Sequence, residues 1–288
     1  MKKLSDHFNL RKSLIRFLQE DIGIGDITSE NLENSNKSVT ATIIFKSDFI
    51  GIICGIEEVQ VLFDICNCNS KPYMLDGTKI RSKAKIMEIS GTAKDVLKAE
   101  RIALNLLMRM SGIATATRKF VDIVHQIDPE ISIASTRKTA PGLRLFDKKA
   151  VVIGGGISHR IRLDDMVLIK DNHIVVDKSI RKIIPLIREK VGSSIKIECE
   201  VKNEQEAIEA IEAGANIIML DNFSIIEAKN TLLKLKDEGL RNLVKIEISG
   251  GVTVDNVVNY AKLKPDIISI RYLTHSAPSL DFSLKIID

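Results

Sequence analysis

From about residue 113 onward, short apolar runs alternate with segments of helical periodicity, and this alternation constrains the fold more than any other feature of the chain. It predicts strands near residues 131–135, 151–153, 166–169, 195–201, 217–220, 244–249 and 267–270. It predicts helices near residues 178–191, 203–213, 224–238 and 254–262. Such alternation is typical of a parallel α/β barrel. Seven strands are one short of the usual barrel, and the link between the first two is too short for a helix as well as a loop, so we expect an irregular, incomplete barrel.

The first part of the chain has a different pattern. Residues 10–20 have helical periodicity, and a long helix is predicted over residues 93–110, ending near Gly112. Between these helices, strands of a small antiparallel sheet are predicted at residues 39–45, 49–53 and 84–89. We therefore predict two domains, at residues 1–112 and 113–288.

Composition excludes several classes of protein. Hydrophobic residues make up 44% and charged residues 28% of the 288 residues, without a low-complexity tract, so the chain is predicted to be globular throughout. Charges interrupt the apolar residues near the start, unlike a signal peptide, and no apolar run approaches the ~20 residues that cross a bilayer. The four cysteines have no CxxC spacing, which disfavours a zinc site. The sequence therefore predicts a soluble, cytoplasmic protein without a membrane partner.

Positive charge is concentrated between residues 137 and 170. This segment has eight basic and three acidic residues, a local excess of five, whereas the whole chain has a formal net charge of +4. The chain has no tryptophan, few aromatic residues for base stacking and no extended basic stripe. A small anionic ligand therefore fits this pattern better than a nucleic acid.

Polar side chains stand at the ends of several predicted strands. Arg137 and Lys138 follow the first strand, and Lys170 follows the third. Asp221 follows the fifth strand, and Ser249 ends the sixth. Because the carboxyl ends of barrel strands meet at one face and carry the reacting groups, we expect these side chains to share one site. For any single position, an ordinary solvated loop is the alternative.

Two of the predicted strands carry a charged row. In IKIECEV, the two-residue period puts Lys196, Glu198 and Glu200 on one face, and VKIEIS repeats the pattern with Lys245 and Glu247. In a barrel strand covered by helices outside, this row is predicted to face inward, where charges must pair or bind a ligand. A solvent-facing edge strand is the alternative.

Two glycine-rich segments adjoin side chains that can bind anions. The triplet at 154–156 precedes His159 and Arg160, and it matches neither a GxGxxG dinucleotide loop nor a P-loop. The Ser-Gly-Gly segment at 249–251 precedes a predicted helix. It can present backbone N–H groups to a phosphate, or it can be a tight strand-to-helix connection.

Three further residues have predicted roles outside these motifs. His173 and His275 are predicted to hold loops. Arg101 lies on an otherwise apolar helix surface, where a long basic side chain needs a partner. That partner is either a nearby carboxylate or a binding site, including one in another subunit.

With these residues assembled, the chain resembles the quinolinate phosphoribosyltransferase family, whose members make nicotinate mononucleotide for NAD synthesis. The matching stretches cover nearly the whole chain in the family's order: EDIGIGDITS, AERIALNLLMRMSGIAT, STRKTAPGLRLFDKKAVVIGGGISHRIRLDDMVLIKDNH, IECEV, IMLDNFS, EISGGV and LTHSAPSLDFSL. The resemblance implies an N-terminal open-faced α/β sandwich domain and an incomplete α/β barrel, the type II phosphoribosyltransferase architecture. It also implies that the tail from about residue 273 packs back on the N-terminal domain. A homodimer with shared active sites, able to assemble into a hexamer, is implied as well.

The resemblance further implies the reaction, which is Mg²⁺-dependent transfer of the phosphoribosyl group from phosphoribosyl pyrophosphate to quinolinate, with decarboxylation. It assigns the two carboxylates of quinolinate to a basic pocket made by Thr136, Arg137, Lys138, His159, Arg160 and Lys170, with Arg101 from the partner subunit. It assigns the ribose and Mg²⁺ to Glu200 and Asp221. It assigns the ribose 5′-phosphate to Ser249, Gly250 and Gly251 and to the loop of Ile270, Arg271 and Tyr272. The catalytic residues would be Lys138, Lys170, Glu200 and Asp221.

The loop at 270–272 departs from the small residues that are common in the family. Arg271 could add a phosphate contact, or its bulk could displace the loop. Three other functions are alternatives: a related protein associated with molybdate transport genes, a Schiff-base aldolase centred on Lys170, and a non-catalytic sensor of a phosphorylated metabolite. The nearly complete set of family stretches favours the quinolinate enzyme.

Overall fold

The computed structural model describes residues 10–177 and 179–287, which divide into two compact units. The first unit holds the described residues of Met1–Arg118, Leu145–Gly154 and Ala277–Asp288. The second unit holds those of Lys119–Arg144 and Gly155–Ser276. The domain division at residue 112 stays a prediction. None of the helices in the described ranges is both long and apolar enough to cross a membrane.

The first unit is built on an antiparallel sheet. Its elements, in chain order, are α1 (Leu10–Ile22), β1 (Ser38–Phe45), β2 (Gly51–Ile52), α2 (Ile56–Ile65), β3 (Asn69–Pro72), β4 (Lys79–Ile80), β5 (Lys85–Thr92), α3 (Ala93–His125), α4 (Arg144–Ile153) and β12 (Phe282–Ile287), with a 3₁₀ turn at Ser29–Asn31. The helices α3 and α4 continue across the boundary between the units. Four strands form one sheet in the order β12-β1-β5-β3, and β2 pairs with β4. The C-terminal strand β12 runs antiparallel to β1, with Phe45 opposite Phe282.

Helix α3 is longer than predicted, because it continues through Gly112 to His125 instead of ending near Gly112. The prediction took this glycine for a helix end. Its place is explained by close packing, since a Cβ at Gly112 would meet the backbone of Pro278 in the same unit. A glycine inside a helix costs about 1 kcal/mol relative to alanine, and here it permits that approach. Buried apolar residues continue in the part of the helix beyond Gly112, among them Ile113 and Phe120.

The second unit contains the parallel sheet. Its elements are β6 (Ser132–Ser135), β7 (Val167–Ile169), α5 (Asp171–Asp177), α6 (Ile180–Val191), β8 (Ile197–Val201), α7 (Glu204–Glu212), β9 (Ile217–Asp221), α8 (Ile225–Asp237), β10 (Lys245–Ser249), α9 (Val257–Ala261), β11 (Ile267–Ile270) and α10 (Tyr272–His275), with a 3₁₀ turn at Arg241–Leu243. The strand order is β6-β11-β10-β9-β8-β7, and each neighbouring pair is parallel. Within the described residues the sheet has six strands, which confirms the mixed α/β class with an incomplete barrel.

The predicted strand at 151–153 is wrong, and so is the expectation that no helix fits between residues 135 and 151. Residues 151–153 are the last residues of helix α4. The helix begins at Arg144, after a turn in which Gly142 has a φ of 81°, in the left-handed region. A short apolar run has the same appearance in a strand and in a buried helix turn. The helix buries Phe146 with Ala150 and Asp147 with Val151, two pairs that are each four residues apart.

The charged side chains of β8 and β10 were predicted to face the inside of the barrel. This prediction is correct for the glutamates and wrong for the lysines. Glu198 and Glu247 are fully buried. Lys196 and Lys245 are exposed, since Lys196 precedes β8 and Lys245 is the first residue of β10. Side chains at the amino ends of the strands therefore reach solvent, whereas the next members of each row lie inside.

Candidate active site

A cavity of about 320 Å³ opens at the carboxyl ends of the parallel strands. All six strands of the sheet, or the residues that follow them, contribute to its walls, and the segment before β7 adds His159 and Arg160. They comprise Thr136, Arg137, Lys138, His159, Arg160, Leu168, Lys170, Glu200, Met219, Asp221, Glu247, Ser249 and Ser269. The carboxyl edge of a parallel barrel sheet is the usual place of an active site.

The segment after β6 brings two cations to this cavity. The Thr136 hydroxyl accepts a hydrogen bond from the backbone N–H of Lys138 at 3.1 Å. The Thr274 hydroxyl donates to the carbonyl of Lys138 at 2.9 Å. Nε of Arg137 is buried and has no hydrogen-bond partner among the described residues. The backbone is thus held at both sides of Lys138, while a guanidinium N–H of Arg137 stays available to an anion.

Arg160 adds a second guanidinium. Its side chain is largely buried and donates to the carbonyls of Arg162 and Leu163, each at 3.1 Å. Burial, followed by the nearby charge of Arg137, lowers the pKa of Arg160. Two guanidinium groups that repel each other in a partly buried site are stabilised when an anion binds between them.

His159 lies between two buried carboxyls. Its Nε2 atom is 2.8 Å from Oε2 of Glu247 and 3.4 Å from Oε2 of Glu198. None of these side-chain atoms makes a regular hydrogen bond among the described residues. The two carboxyls also interact with each other. Burial, followed by the charge of Glu247, raises the pKa of Glu198 well above its ordinary range. The two glutamates were not among the predicted site residues, although the alternation of their strands had indicated their inward direction.

The acidic side of the cavity contains Glu200 and Asp221. Glu200 is on β8 and accepts a contact from Nζ of Lys170 at 3.1 Å. Asp221 ends β9, and its Oδ2 accepts a hydrogen bond from Nδ2 of Asn222 at 2.6 Å. Carboxylates that retain oxygens for other partners suit a hard divalent cation such as Mg²⁺, which proteins usually bind through one or two carboxylates together with substrate phosphates.

The remaining predicted site residues fall into two groups. Ser249 lines the cavity, and Gly250 and Gly251 follow it with φ values of 89° and 62°. The residues of the loop at 270–272 are not among those that line the cavity; instead Ser269 does. Ile270 is buried, Arg271 is exposed and Tyr272 contacts the Phe120 ring with centroids 6.2 Å apart.

Arg101 lies exposed on α3 in the first unit. Among the histidines outside the cavity, His173 accepts a hydrogen bond from the backbone N–H of Lys170 at 2.9 Å, in the loop-holding role that was predicted. His275 contacts the hydroxyl of Ser276 at 3.1 Å. The sequence-based site list omitted Leu168 and Met219, because apolar strand residues carry no signal that separates a cavity wall from a core.

The fold and the cavity together define an α/β-barrel enzyme for a small, multiply charged substrate. The sequence model of the quinolinate phosphoribosyl transferase N-terminal domain matches residues 26–111, and that of the C-terminal domain matches residues 113–285. The chain therefore belongs to the quinolinate phosphoribosyl transferase family, as the sequence motifs predicted.

Individual relatives agree with this membership. The probable nicotinate-nucleotide pyrophosphorylase [carboxylating] of Archaeoglobus fulgidus is 42% identical over 91% of this chain and 98% of its own length. The protein of the same name from Methanocaldococcus jannaschii is 42% identical over 96% of both chains. The crystal structure of nicotinate-nucleotide pyrophosphorylase from Ehrlichia chaffeensis is 33% identical, with a TM-score of 0.90 over 98% of this chain and all of the other. The similarity thus extends over both units.

Proposed function

We propose that this chain transfers the phosphoribosyl group of phosphoribosyl pyrophosphate to quinolinate, giving nicotinate mononucleotide, pyrophosphate and CO₂ in NAD biosynthesis. The observation that carries this proposal is the division of one cavity into a basic side, for a dicarboxylate, and an acidic side, for a metal and a sugar. Relatives named nicotinate-nucleotide pyrophosphorylase [carboxylating], matched over nearly their whole length, support it.

The basic side would hold the two carboxylates of quinolinate. Arg137 and Arg160 offer planar donors that suit a carboxylate, and Lys138 and Lys170 add ammonium groups. His159 and Thr136 would complete this pocket, together with the partner subunit's Arg101. This last contact requires a homodimer, which we propose as the minimal assembly, with a hexamer as a higher one. A cytoplasmic location is part of the same proposal.

The acidic side would hold phosphoribosyl pyrophosphate with Mg²⁺. Glu200 and Asp221 would supply carboxylate oxygens to Mg²⁺, and the ion, when bound, would offset negative charge on pyrophosphate. Backbone N–H groups at Ser249, Gly250 and Gly251 would receive the ribose 5′-phosphate. The loop of Ile270, Arg271 and Tyr272 would border that phosphate from the adjacent strand β11.

The chemistry then needs no protein nucleophile. The bond from C1′ to the pyrophosphate oxygen breaks, its electron pair leaves with pyrophosphate, and the quinolinate nitrogen forms the new bond to C1′. The carboxylates of Glu200 and Asp221 stabilise the positive charge that develops on the ribose. Loss of CO₂ leaves an electron pair on C2, beside the pyridinium nitrogen, and this carbon takes up a proton. Cations on the basic side, including the ammonium groups of Lys138 and Lys170, stabilise that electron pair.

The test is release of labelled CO₂ from quinolinate in the presence of phosphoribosyl pyrophosphate and Mg²⁺, with a control that lacks the phosphoribosyl donor. Donor-dependent CO₂, matched by an equal amount of nicotinate mononucleotide, is expected. Absence of CO₂ from folded, Mg²⁺-loaded protein would reject the proposal and favour the molybdate-associated relative or a metabolite sensor. For the metal, Asp221→Ala should weaken the Mg²⁺ dependence of turnover, and an unchanged dependence would contradict its assignment.

A further inference from the structure

The backbone of His159 is held in an uncommon conformation. Its φ is 50°, in the left-handed region that residues with a side chain seldom occupy. Such a conformation is strained and persists where the surroundings determine it, often at functional sites. The side chain is only 9% exposed, so the ring is largely enclosed by its neighbours.

The position of Glu247 and Glu198 is also costly. Both carboxyls are fully buried on the inner face of the sheet, on strands separated by β9. A buried carboxyl is destabilising unless it is paired, and the basic group beside both carboxyls is the His159 ring. An apolar residue of similar volume would pack in the same place without this cost. The two carboxyls therefore call for an explanation beyond packing.

The distances indicate where the ring carries its proton. A bare Nε2 would place its lone pair against the ionised Glu247 oxygen 2.8 Å away, which is repulsive. A proton on Nε2, directed between the two oxygens, attracts both, and a shared proton of this kind makes no straight hydrogen bond to either. A proton on the ring satisfies this geometry with one donor and two acceptors.

We propose that Glu247, assisted by the more distant Glu198, is a positioning residue that keeps a proton on Nε2 of His159. With Nε2 occupied in this way, the rest of the ring lines the cavity, and Nδ1 can carry a second proton toward a carboxylate of the substrate. The charge of Glu247 balances the resulting imidazolium. This inference rests on the proposed function, since it gives His159 the role of a fixed cation for the diacid.

The first measurement is a ¹H–¹⁵N spectrum of the histidine rings in ligand-free protein, labelled at its five histidines, with His159→Gln to assign the signal. A proton bonded to Nε2 of His159 is expected. A bare Nε2 in the wild-type protein overturns the inference, whatever any variant does. This readout needs no substrate, so it stands apart from the proposed function, which fails instead if the wild-type protein releases no CO₂.

The second measurement uses two substitutions at one position. Glu247→Gln keeps the shape, but its amide N–H can donate to Nε2, so we expect the ring proton to shift toward Nδ1. We expect the KM for quinolinate to rise about tenfold, because one charge-assisted contact with the substrate is lost, and kcat to change less. Glu247→Asp keeps the charge and should restore both the Nε2 proton and most of the affinity. An unchanged KM and ring spectrum in folded Glu247→Gln would overturn the inference.

A matched control lies in the first unit. Glu58 is likewise buried, and its carboxylate contacts Nζ of Lys149 at 2.8 Å. Glu58→Gln should lower the stability of the protein but leave the KM for quinolinate unchanged. If Glu58→Gln raises that KM as much as Glu247→Gln does, the effect is general destabilisation and the positioning role is rejected. If Glu247→Gln does not fold, Glu198→Gln replaces it, with a smaller rise in KM expected from its longer distance.

Discussion

Nζ of Lys170 lies 3.1 Å from Oε2 of Glu200, and this ion pair connects the basic and the acidic side of the cavity. Lys170 follows β7 and Glu200 belongs to β8, whose parallel register pairs Ile169 with Cys199. The next residue of each strand is therefore a member of the ion pair. Since the Lys170 side chain is 48% exposed, a bound diacid can draw its ammonium group away from Glu200 without a change of fold.

The state of Lys170 leads to the first prediction, which separates the proposed transferase from a Schiff-base aldolase. A Schiff-base lysine is activated by desolvation or by a neighbouring cation, whereas Lys170 is half exposed and paired with a carboxylate. Borohydride treatment with carbonyl compounds should therefore trap no adduct on Lys170, as read by peptide mass spectrometry. Lys170→Met should still lose quinolinate turnover. A trapped adduct at this residue would support the aldolase.

The second prediction concerns the basic side of the cavity. Arg137→Ala or Lys138→Ala removes a charged partner of a substrate carboxylate, a contact worth about 1.5–3 kcal/mol, so kcat/KM for quinolinate should fall at least about tenfold. The KM for phosphoribosyl pyrophosphate should change less. Steady-state kinetics with each substrate varied in turn measures both values. Near-normal quinolinate kinetics in folded variants would refute the assignment of these residues.

The third prediction concerns Gly250, where the backbone permits no side chain. A Cβ at this position would lie 2.7 Å from the backbone nitrogen of Asn222, whose side chain donates to Asp221. Gly250→Ala should therefore displace the Asp221 region and raise the KM for phosphoribosyl pyrophosphate about tenfold, as expected for loss of one charge-assisted contact.

The comparison variant for Gly250 is the neighbouring glycine. Gly251 also has a positive φ, but a Cβ there would meet no atom within 4 Å. Gly251→Ala should cost about 1–2 kcal/mol of backbone strain and raise the KM less than Gly250→Ala does. Equal effects of the two substitutions would show that the contact with Asn222 is not what matters.

The fourth prediction concerns stability and the corrected helix α4. Nε and Nη2 of Arg109 donate to the two carboxylate oxygens of Asp147 at 2.7 and 2.9 Å, and the Asp147 side chain is fully buried. Asp147→Asn removes the charge from a buried pair and should lower the free energy of unfolding by about 3 kcal/mol. The exposed pair of Arg11 and Asp64 is the control, and Asp64→Asn should cost less than about 1 kcal/mol. Urea denaturation measures both, and equal costs would contradict the burial argument.

The fifth prediction concerns the cysteines. All four are buried, and burial raises the pKa of Cys68 and of Cys199 to about 12. At pH 8 the reactive thiolate of such a group is about one part in 10⁴, and its fraction grows only as the pH approaches the raised pKa. Ellman's reagent should therefore react slowly with native protein and rapidly with four thiols in guanidinium chloride. A fast native reaction would show that a thiol is accessible.

Several elements were predictable because their signals are local. The two-residue alternation around Glu198 and Glu247 indicated buried carboxyls, since strand geometry alone separates the two faces. The charged and hydroxyl residues at strand ends were found for the same reason, because a parallel sheet brings its carboxyl ends together. Errors occurred where a local signal is shared by two structures. A glycine such as Gly112 is common at a helix end, and an apolar run such as residues 151–153 is common in a strand, but both lie in helices here.

The sequence by itself determined the family, the α/β class and the residue types that a site for a diacid and a metal requires, because these follow from motifs and from periodicity along the chain. Only the tertiary structure decided that His159 meets Glu247 and Glu198, that Lys170 pairs with Glu200, and that Gly112 lies against Pro278. The physical reason is that these contacts join residues that are distant along the chain. Their distances depend on how strands and helices pack, and no local pattern in the sequence encodes that packing.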